Sequence, residues 1–145
     1  MPALPLHYPV TRYQADAPTD LSTAAARERL SPPALKAFFS IMARWKVRDQ
    51  EARALLGGVS NGPFYEMKRH PDRVLDVDRL TRVSYLIGIF KALNILHGRA
   101  IADDWVHLLN RHPIFAGRAP LTVMIEGGLP ALHTVRRLLD ARRAG

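Results

Sequence analysis

The sequence predicts an all-α protein, and two features of its pattern support this class. Apolar residues recur at spacings of three and four in several segments, whereas no segment alternates apolar and polar residues for long enough to form a strand. Glycine and proline separate these segments by short turns. We therefore expect about seven helices, arranged as one globular domain or as two small modules that share a core.

The N-terminal segment differs from the rest of the chain. Residues 1–18 hold four prolines and show no periodic pattern. We expect residues 1–30 to comprise an extended proline-containing tail over residues 1–18 and a short helix that Asp20 caps and that ends at Leu30. Ser31 can cap a new helix with Pro32 at its first position. One face of this helix collects the apolar residues Leu35, Phe38, Phe39, Met42 and Trp45.

Two short helices follow. The first is predicted from Asp49 to Leu56, where Gly57-Gly58 ends it, and the second begins near Asn61 and ends before His70-Pro71. Their spacing is that of a helix-turn-helix. In this layout the helices approach at the small residue Ala54, Gly58 forms the turn, and Phe64 packs the second helix.

The second helix would present polar side chains to a DNA groove and its phosphates. Hydrogen-bonding and cationic side chains of this kind suit base edges and backbone charge, and they are Ser60, Asn61, Tyr65, Lys68 and Arg69. Gly62-Pro63 interrupts the segment and Glu66 is acidic. The alternative is a helical corner that no longer reads DNA.

A long helix is predicted from Val77 to Leu96, with Asp76 as its cap. It carries two apolar stripes, one running from Leu80 to Phe90 and the other from Leu86 to Leu96. Two stripes require burial on two sides, so this helix is either a central pillar or faces a second subunit. We expect a homodimer on this basis.

The remaining pattern predicts three helices. They cover Arg99 to Leu109, Pro120 to Glu126 and Leu129 to Ala144, with a stop at Gly127-Gly128. Asp103-Asp104 would be first-turn charges that complement the helix dipole. Near the chain end the last helix concentrates Arg136, Arg137, Arg142 and Arg143. These arginines either stabilise the helix or enter a partner's site for phosphate or carboxylate.

Composition excludes several classes of protein. The 145 residues carry a formal charge of +8, which favours an anionic partner. They include no cysteine, which favours a reducing compartment such as the cytoplasm. No apolar run has the length of a membrane span. The histidines lack metal-ligand spacing, and no nucleophile or carboxylate pair sits in a catalytic context. We therefore expect no metal, no cofactor, no catalytic residue and no enzyme activity.

The chain resembles a known family over about residues 30–145. The segment from Leu30 to Phe39, Trp45, the segment Ala52 to Gly57 and the run RVSYLIGIFKAL are similar to the Xre-like helix-turn-helix part of the Xre/MbcA/ParS antitoxins. The loop FAGRAPL and the run VRRLLDA are similar to the toxin-binding domain of that family. The resemblance implies an Xre-like domain over residues 31–98 and a toxin-binding domain over residues 99–145.

The function implied is that of the antitoxin in a type II toxin–antitoxin pair. Its partner would be a RES-domain toxin that acts on NAD, either by ADP-ribosylating a target or by degrading the dinucleotide. The C-terminal helix would block the toxin's active site, and promoter DNA would be a second partner. The toxin-binding residues we assign are Trp105, Phe115, Arg118, Arg136, Arg137, Leu139, Arg142 and Arg143. The alternative is a stand-alone helix-turn-helix transcriptional regulator.

Overall fold

A computed structural model describes residues 20–145, and within them it has six α-helices and no strand. The predicted all-α class is confirmed, and the tail predicted before residue 20 lies outside the described residues. The helices are α1 (Ala24–Arg44), α2 (Asp49–Leu55), α3 (Asn61–Arg69), α4 (Val77–His97), α5 (Arg99–Trp105) and α6 (Pro120–Ala144). Buried side chains from all six belong to one hydrophobic cluster.

Helix α1 continues through the break predicted at Ser31. Its N-cap is Thr23, whose hydroxyl accepts a hydrogen bond from the Ala26 N–H at 3.2 Å, so Asp20 is not the cap. Ser31 is fully buried and its hydroxyl accepts the Leu75 N–H at 2.9 Å. Because prolines inside a helix remove N–H donors, the sequence predicted that a new helix begins at Pro32. The break is wrong because the buried Ser31 contact and the packing of Leu35 hold both halves as one helix.

Helix α4 is the central element, since it packs against α1, α5 and α6. Leu80 and Val83 of the first apolar stripe are buried, and so are Leu86, Ile89 and Leu93 of the second. Neighbouring helices of the same chain thus cover most of both stripes, while Ile87, Phe90 and Leu96 are only partly covered. The expected homodimer stays a prediction. Asp76 caps this helix as predicted and accepts the Arg79 N–H at 2.8 Å.

Helix α5 is shorter than predicted. It ends at Trp105 and not at Leu109, because the following residues tighten into a turn that buries Val106, whose carbonyl accepts the Leu121 N–H at 2.9 Å. Asp103 therefore lies in the last turn of α5, which corrects its assignment as a first-turn charge. Its Oδ2 is 3.0 Å from Nη2 of Arg44, so it ties α5 to the end of α1.

Helix α6 combines the last two predicted helices. Gly128 has a φ of 63° and a ψ of −147°, so the predicted stop is present as a kink between two helical halves. A positive φ suits glycine because it has no Cβ to collide with the backbone. Leu132, Val135 and Leu139 of the second half are buried, and this half packs against α4. No helix among residues 20–145 is both long and apolar enough to cross a bilayer.

Candidate functional site

The α2–α3 corner has the geometry of two short helices joined by a tight turn. Gly57 and Gly58 have φ values of 93° and 88°, and their N–H groups donate to the last carbonyls of α2, both at 2.9 Å. Phe64 anchors α3, because it is buried and its ring lies 5.5 Å from the Phe39 ring. The buried alanine of α2 is Ala52 (1% exposed), whereas Ala54 is only partly covered, which corrects the predicted approach point.

The side chains predicted to contact DNA are all solvent-exposed on this corner. They are Ser60, Asn61, Tyr65, Lys68 and Arg69. Ser60 is the N-cap of α3 and its side chain makes no capping hydrogen bond. Gly62-Pro63 lies inside the first turn of α3, so the predicted interruption is wrong. A proline there removes only an N–H that has no partner within the helix.

Asp49 holds two of the predicted DNA-contacting side chains. Its Oδ2 accepts the Tyr65 hydroxyl at 3.1 Å, and its Oδ1 lies 3.3 Å from Nζ of Lys68. Arg69 pairs with Glu66 at 3.6 Å. These carboxylates neutralise part of the positive charge at the end of α3. The sequence reasoning missed Asp49, although its position at the start of α2, opposite a basic helix end, could have indicated the contact.

Glu51 fixes the first turn of α2. Its Oε1 accepts the backbone N–H of Arg48 at 3.2 Å and the Nε of the same residue at 3.1 Å. The side-chain hydrogen bond from Arg48 lowers the pKa of the Glu51 carboxyl, and the same pairing raises the pKa of Arg48. This contact caps the N-terminus of α2.

Three of the residues assigned to toxin binding lie in the core. Trp105 is 8% exposed, and Phe115 and Leu139 are fully buried. The rings of Trp105 and Phe115 meet edge to face with their centroids 5.7 Å apart. A partner cannot reach these side chains without unfolding the domain. Trp105 and Phe115 instead join α5 to the following loop, and Leu139 belongs to the buried face of α6.

The C-terminal arginines divide into two pairs. Arg136 places its Nε 3.2 Å from Oδ2 of Asp140, and its Nη1 donates to the Ser84 carbonyl of α4 at 3.2 Å. Arg143 is 11% exposed and lies 3.8 Å from the other oxygen of Asp140. These two arginines therefore stabilise the fold. Within residues 20–145, Arg137 and Arg142 are exposed and have no carboxylate within ion-pair distance.

Two residues that contact these arginines were not predicted from the sequence. Gly88 of α4 lies directly beneath the Arg136 guanidinium, so that any Cβ at residue 88 would overlap it. Asp140 pairs with Arg136 and Arg143, and both spacings, i to i+4 and i to i+3, could have indicated this. Arg118, the remaining assigned arginine, is exposed and forms an ion pair with Glu126.

No candidate metal centre occurs in the described part of the chain. No group of three or more histidine and carboxylate side chains comes together among residues 20–145. The exposed surface presents guanidinium groups on α6 and mixed polar and cationic groups on α3.

Comparison with known proteins gives a relative of similar length. The chain is 35% identical over 115 residues to "Uncharacterized protein y4oB" of Sinorhizobium fredii (strain NBRC 101917 / NGR234), and the match covers 79% of this chain and 87% of the relative. No family model matches the sequence. No solved structure matches it either.

Proposed function

This chain belongs to the same family as the Sinorhizobium protein y4oB, and from its motifs and surface geometry we propose that it is the antitoxin of a type II toxin–antitoxin pair. Its partner is a RES-domain toxin that acts on NAD in the cytoplasm, and the C-terminal helix of this chain covers the toxin's active site. The motifs FAGRAPL and VRRLLDA, which resemble the toxin-binding domain of the Xre/MbcA/ParS antitoxins, support this proposal.

The observation that carries the proposal is the pair of unneutralised guanidinium groups on α6. Arg137 and Arg142 are exposed and, within the described residues, no carboxylate pairs with either. Guanidinium groups pair bidentately with carboxylates, so Arg137 and Arg142 can bind acidic side chains at the rim of the toxin's active site. The protein then inhibits by binding and performs no chemistry of its own.

The other arginines support this role indirectly. Arg136 and Arg143 hold Asp140 and the Ser84 carbonyl, so they fix the helix on which the exposed pair stands. The buried face of α6, which includes Leu132 and Val135, makes the helix rigid before the partner arrives. A preformed helix loses little conformational entropy on binding, which favours high affinity.

The test is rescue of cells that express the RES-domain protein encoded beside this chain's gene. We expect full protection by the wild-type chain and loss of protection by the variant carrying Arg137→Ala and Arg142→Ala. A desolvated hydrogen bond to a charged group contributes about 1.5–3 kcal/mol, so affinity for the toxin should fall at least tenfold. The matched control carries Arg99→Ala and Arg111→Ala, which also removes two exposed arginines.

Two outcomes would contradict the proposal. One is equal loss of protection in the double variant and in the control, which would mean that net charge and not the α6 surface matters. The other is the absence of a RES-domain gene next to this one. Circular dichroism of each variant establishes that it has folded.

The α2–α3 corner favours a second function, repression of the chain's own promoter. All five predicted DNA-contacting side chains are exposed on one corner that the buried Phe64 and Met67 anchor. This observation also fits the alternative of a stand-alone transcriptional regulator. Phosphate neutralisation by Lys68 and Arg69 would make the affinity depend steeply on salt.

A titration of the promoter fragment at two salt concentrations tests this second function. Changing Asp49 to Asn should strengthen binding, because it frees Lys68 and Tyr65, whereas Lys68→Ala with Arg69→Ala should abolish it. The matched control is Asp72→Asn, which removes an exposed carboxylate that pairs with Lys36 and not with α3. Salt-insensitive binding, or binding that survives the double substitution, would contradict a role for α3 in contacting DNA.

A further inference from the structure

A groove of about 1020 Å³ runs between α1, α4 and α6, and Arg137 of the proposed toxin-binding surface lies at its rim. Ligand pockets for small molecules span about 300–1,000 Å³, so this groove has room for a larger group. Its walls are Leu30 and Ala34 of α1 on one side and the polar face of α6 on the other, with α4 as the floor.

One wall of the groove and part of its floor are apolar. Leu30, Ala34 and Ile87 line it and are only partly covered, so they retain apolar surface that a partner could bury. The Tyr85 ring stands at the α6 side, 5.5 Å from the His133 ring. Partly exposed apolar side chains gathered in a concave surface are typical of sites for an amphipathic partner segment.

The rim of the groove is cationic. Its lining includes three cations, Lys91, Arg136 and Arg137, against one carboxylate, Asp140, which already pairs with Arg136 at 3.2 Å. Lys91 and Arg137 are exposed, and no carboxylate of residues 20–145 pairs with either. They approach the groove from α4 and α6 respectively, so a segment lying in it would have positive charge along its edge.

We propose that this groove binds an amphipathic helix of a partner protein, with apolar side chains on one face and Asp or Glu beside them. The apolar face would cover Leu30, Ala34 and Ile87, and the carboxylates would meet Lys91 and Arg137. Charge complementarity of this kind selects the partner and sets its orientation. The inference rests on the proposed function, because it takes the toxin as the protein that supplies this helix and shares Arg137 with the proposed toxin-binding pair.

The experiment uses the full chain and two fluorescein-labelled peptides. The first is an amphipathic helix of about 15 residues, near the length at which isolated helices become stable, with Leu on one face and Glu on the other. The second has Lys in place of every Glu. We expect saturable binding of the Glu peptide by fluorescence anisotropy, weakened by added salt, and at least tenfold weaker binding of the Lys peptide.

Two variants locate the binding. Lys91→Glu with Arg137→Glu should weaken binding of the Glu peptide at least tenfold, whereas Arg99→Glu with Arg111→Glu, which makes the same charge change elsewhere, should leave it unchanged. Ser84→Phe fills the groove from its exposed floor and should weaken both peptides. Unchanged circular dichroism and thermal midpoints establish that each variant folds.

Several results would overturn the proposal: equal affinity for the two peptides, equal loss in both charge-reversal variants, or no saturable binding. Displacement of the Glu peptide by a synthetic peptide of residues 1–19 would assign the groove to this chain's own segment. A dimer in sedimentation that Ser84→Phe dissociates would assign it to a second copy. No toxin is present in this experiment, so its failure leaves the proposed function standing, and failed neutralisation leaves the peptide result standing.

Discussion

The contact between Gly88 and Arg136 predicts that the effect of Gly88→Ala on the free energy of unfolding depends on whether residue 136 is arginine. Gly88 lies in the middle of α4, where alanine is more favourable than glycine by about 1 kcal/mol of helix propensity. A Cβ at residue 88 would overlap the Arg136 guanidinium and push it off the Ser84 carbonyl, which it contacts at 3.2 Å. Loss of one hydrogen bond costs about 0.5–1.5 kcal/mol.

These two effects nearly cancel in the wild-type chain. Arg136 is flexible at its far end and can keep its pairing with Asp140, so the overlap itself costs little once the guanidinium moves. We expect Gly88→Ala to change the free energy of unfolding by less than about 0.5 kcal/mol. In an Arg136→Ala background the same change should stabilise the chain by about 1 kcal/mol, since nothing then opposes the propensity gain.

Urea unfolding of the four chains, followed by circular dichroism, measures this coupling. The double-mutant cycle should give an interaction energy of about 1 kcal/mol between the two positions. An equal increment for Gly88→Ala in both backgrounds would refute the reasoning, because it would mean that the guanidinium does not occupy the space above Gly88.

Three further predictions concern the core and the capping contacts. Phe115→Ala should lower the free energy of unfolding by about 3–5 kcal/mol in thermal or urea unfolding, since the ring is fully buried. A loss of stability below about 1 kcal/mol would contradict the buried position of the ring. Ser31→Ala should cost about 1–3 kcal/mol, because it leaves the buried Leu75 N–H without an acceptor, and unchanged stability would contradict this contact. Glu51→Gln should destabilise the chain at neutral pH. Because the folded-state pKa is lowered, the carboxylate stabilises the folded chain above its ordinary pKa of about 4.3, and this stabilisation is lost as pH falls through the folded-state pKa. The free energies of unfolding of the two chains should therefore become equal in acid. A difference in stability that persists in acid would exclude the pairing with Arg48.

Local signals in the sequence predicted much of the fold. Asp76 was recognised as a cap, and Gly57-Gly58 as a helix end, because both effects depend on the residue itself and its immediate neighbours. Gly127-Gly128 was predicted as a helix stop for the same reason, and the structure has a kink at Gly128. Helix α4 was recognised as central from its two apolar stripes, since helical periodicity survives whatever packs against it.

The failures concern contacts between distant segments. Ser31 and Leu75 are 44 residues apart in the chain. No local pattern therefore indicates that the Ser31 hydroxyl accepts a hydrogen bond from the buried Leu75 N–H. Ser31 followed by Pro32 therefore indicated a helix start where the structure has a continuous helix. The expected homodimer stays a prediction, and the sequence likewise does not say which helices of the chain cover the second stripe of α4.

The four C-terminal arginines illustrate how far the candidate site could be predicted. They look equivalent as a cluster, but Arg136 and Arg143 are seven residues apart, a spacing that keeps them on the same side of α6 as Leu132 and Leu139. This periodicity could have separated the inward pair from the exposed Arg137. The roles of Gly88 and Lys91 could not be predicted, because they depend on where α6 lies across α4.

The most direct measurement of the central claim is NAD consumption or ADP-ribosylation by the purified neighbouring RES-domain protein, with the full chain added in rising amounts. The account predicts that the toxin's activity falls to background near the stoichiometry of the complex, and that the chain carrying Arg137→Ala and Arg142→Ala needs at least tenfold more protein for the same effect. Undiminished toxin activity at saturating concentrations of the folded wild-type chain would contradict the account.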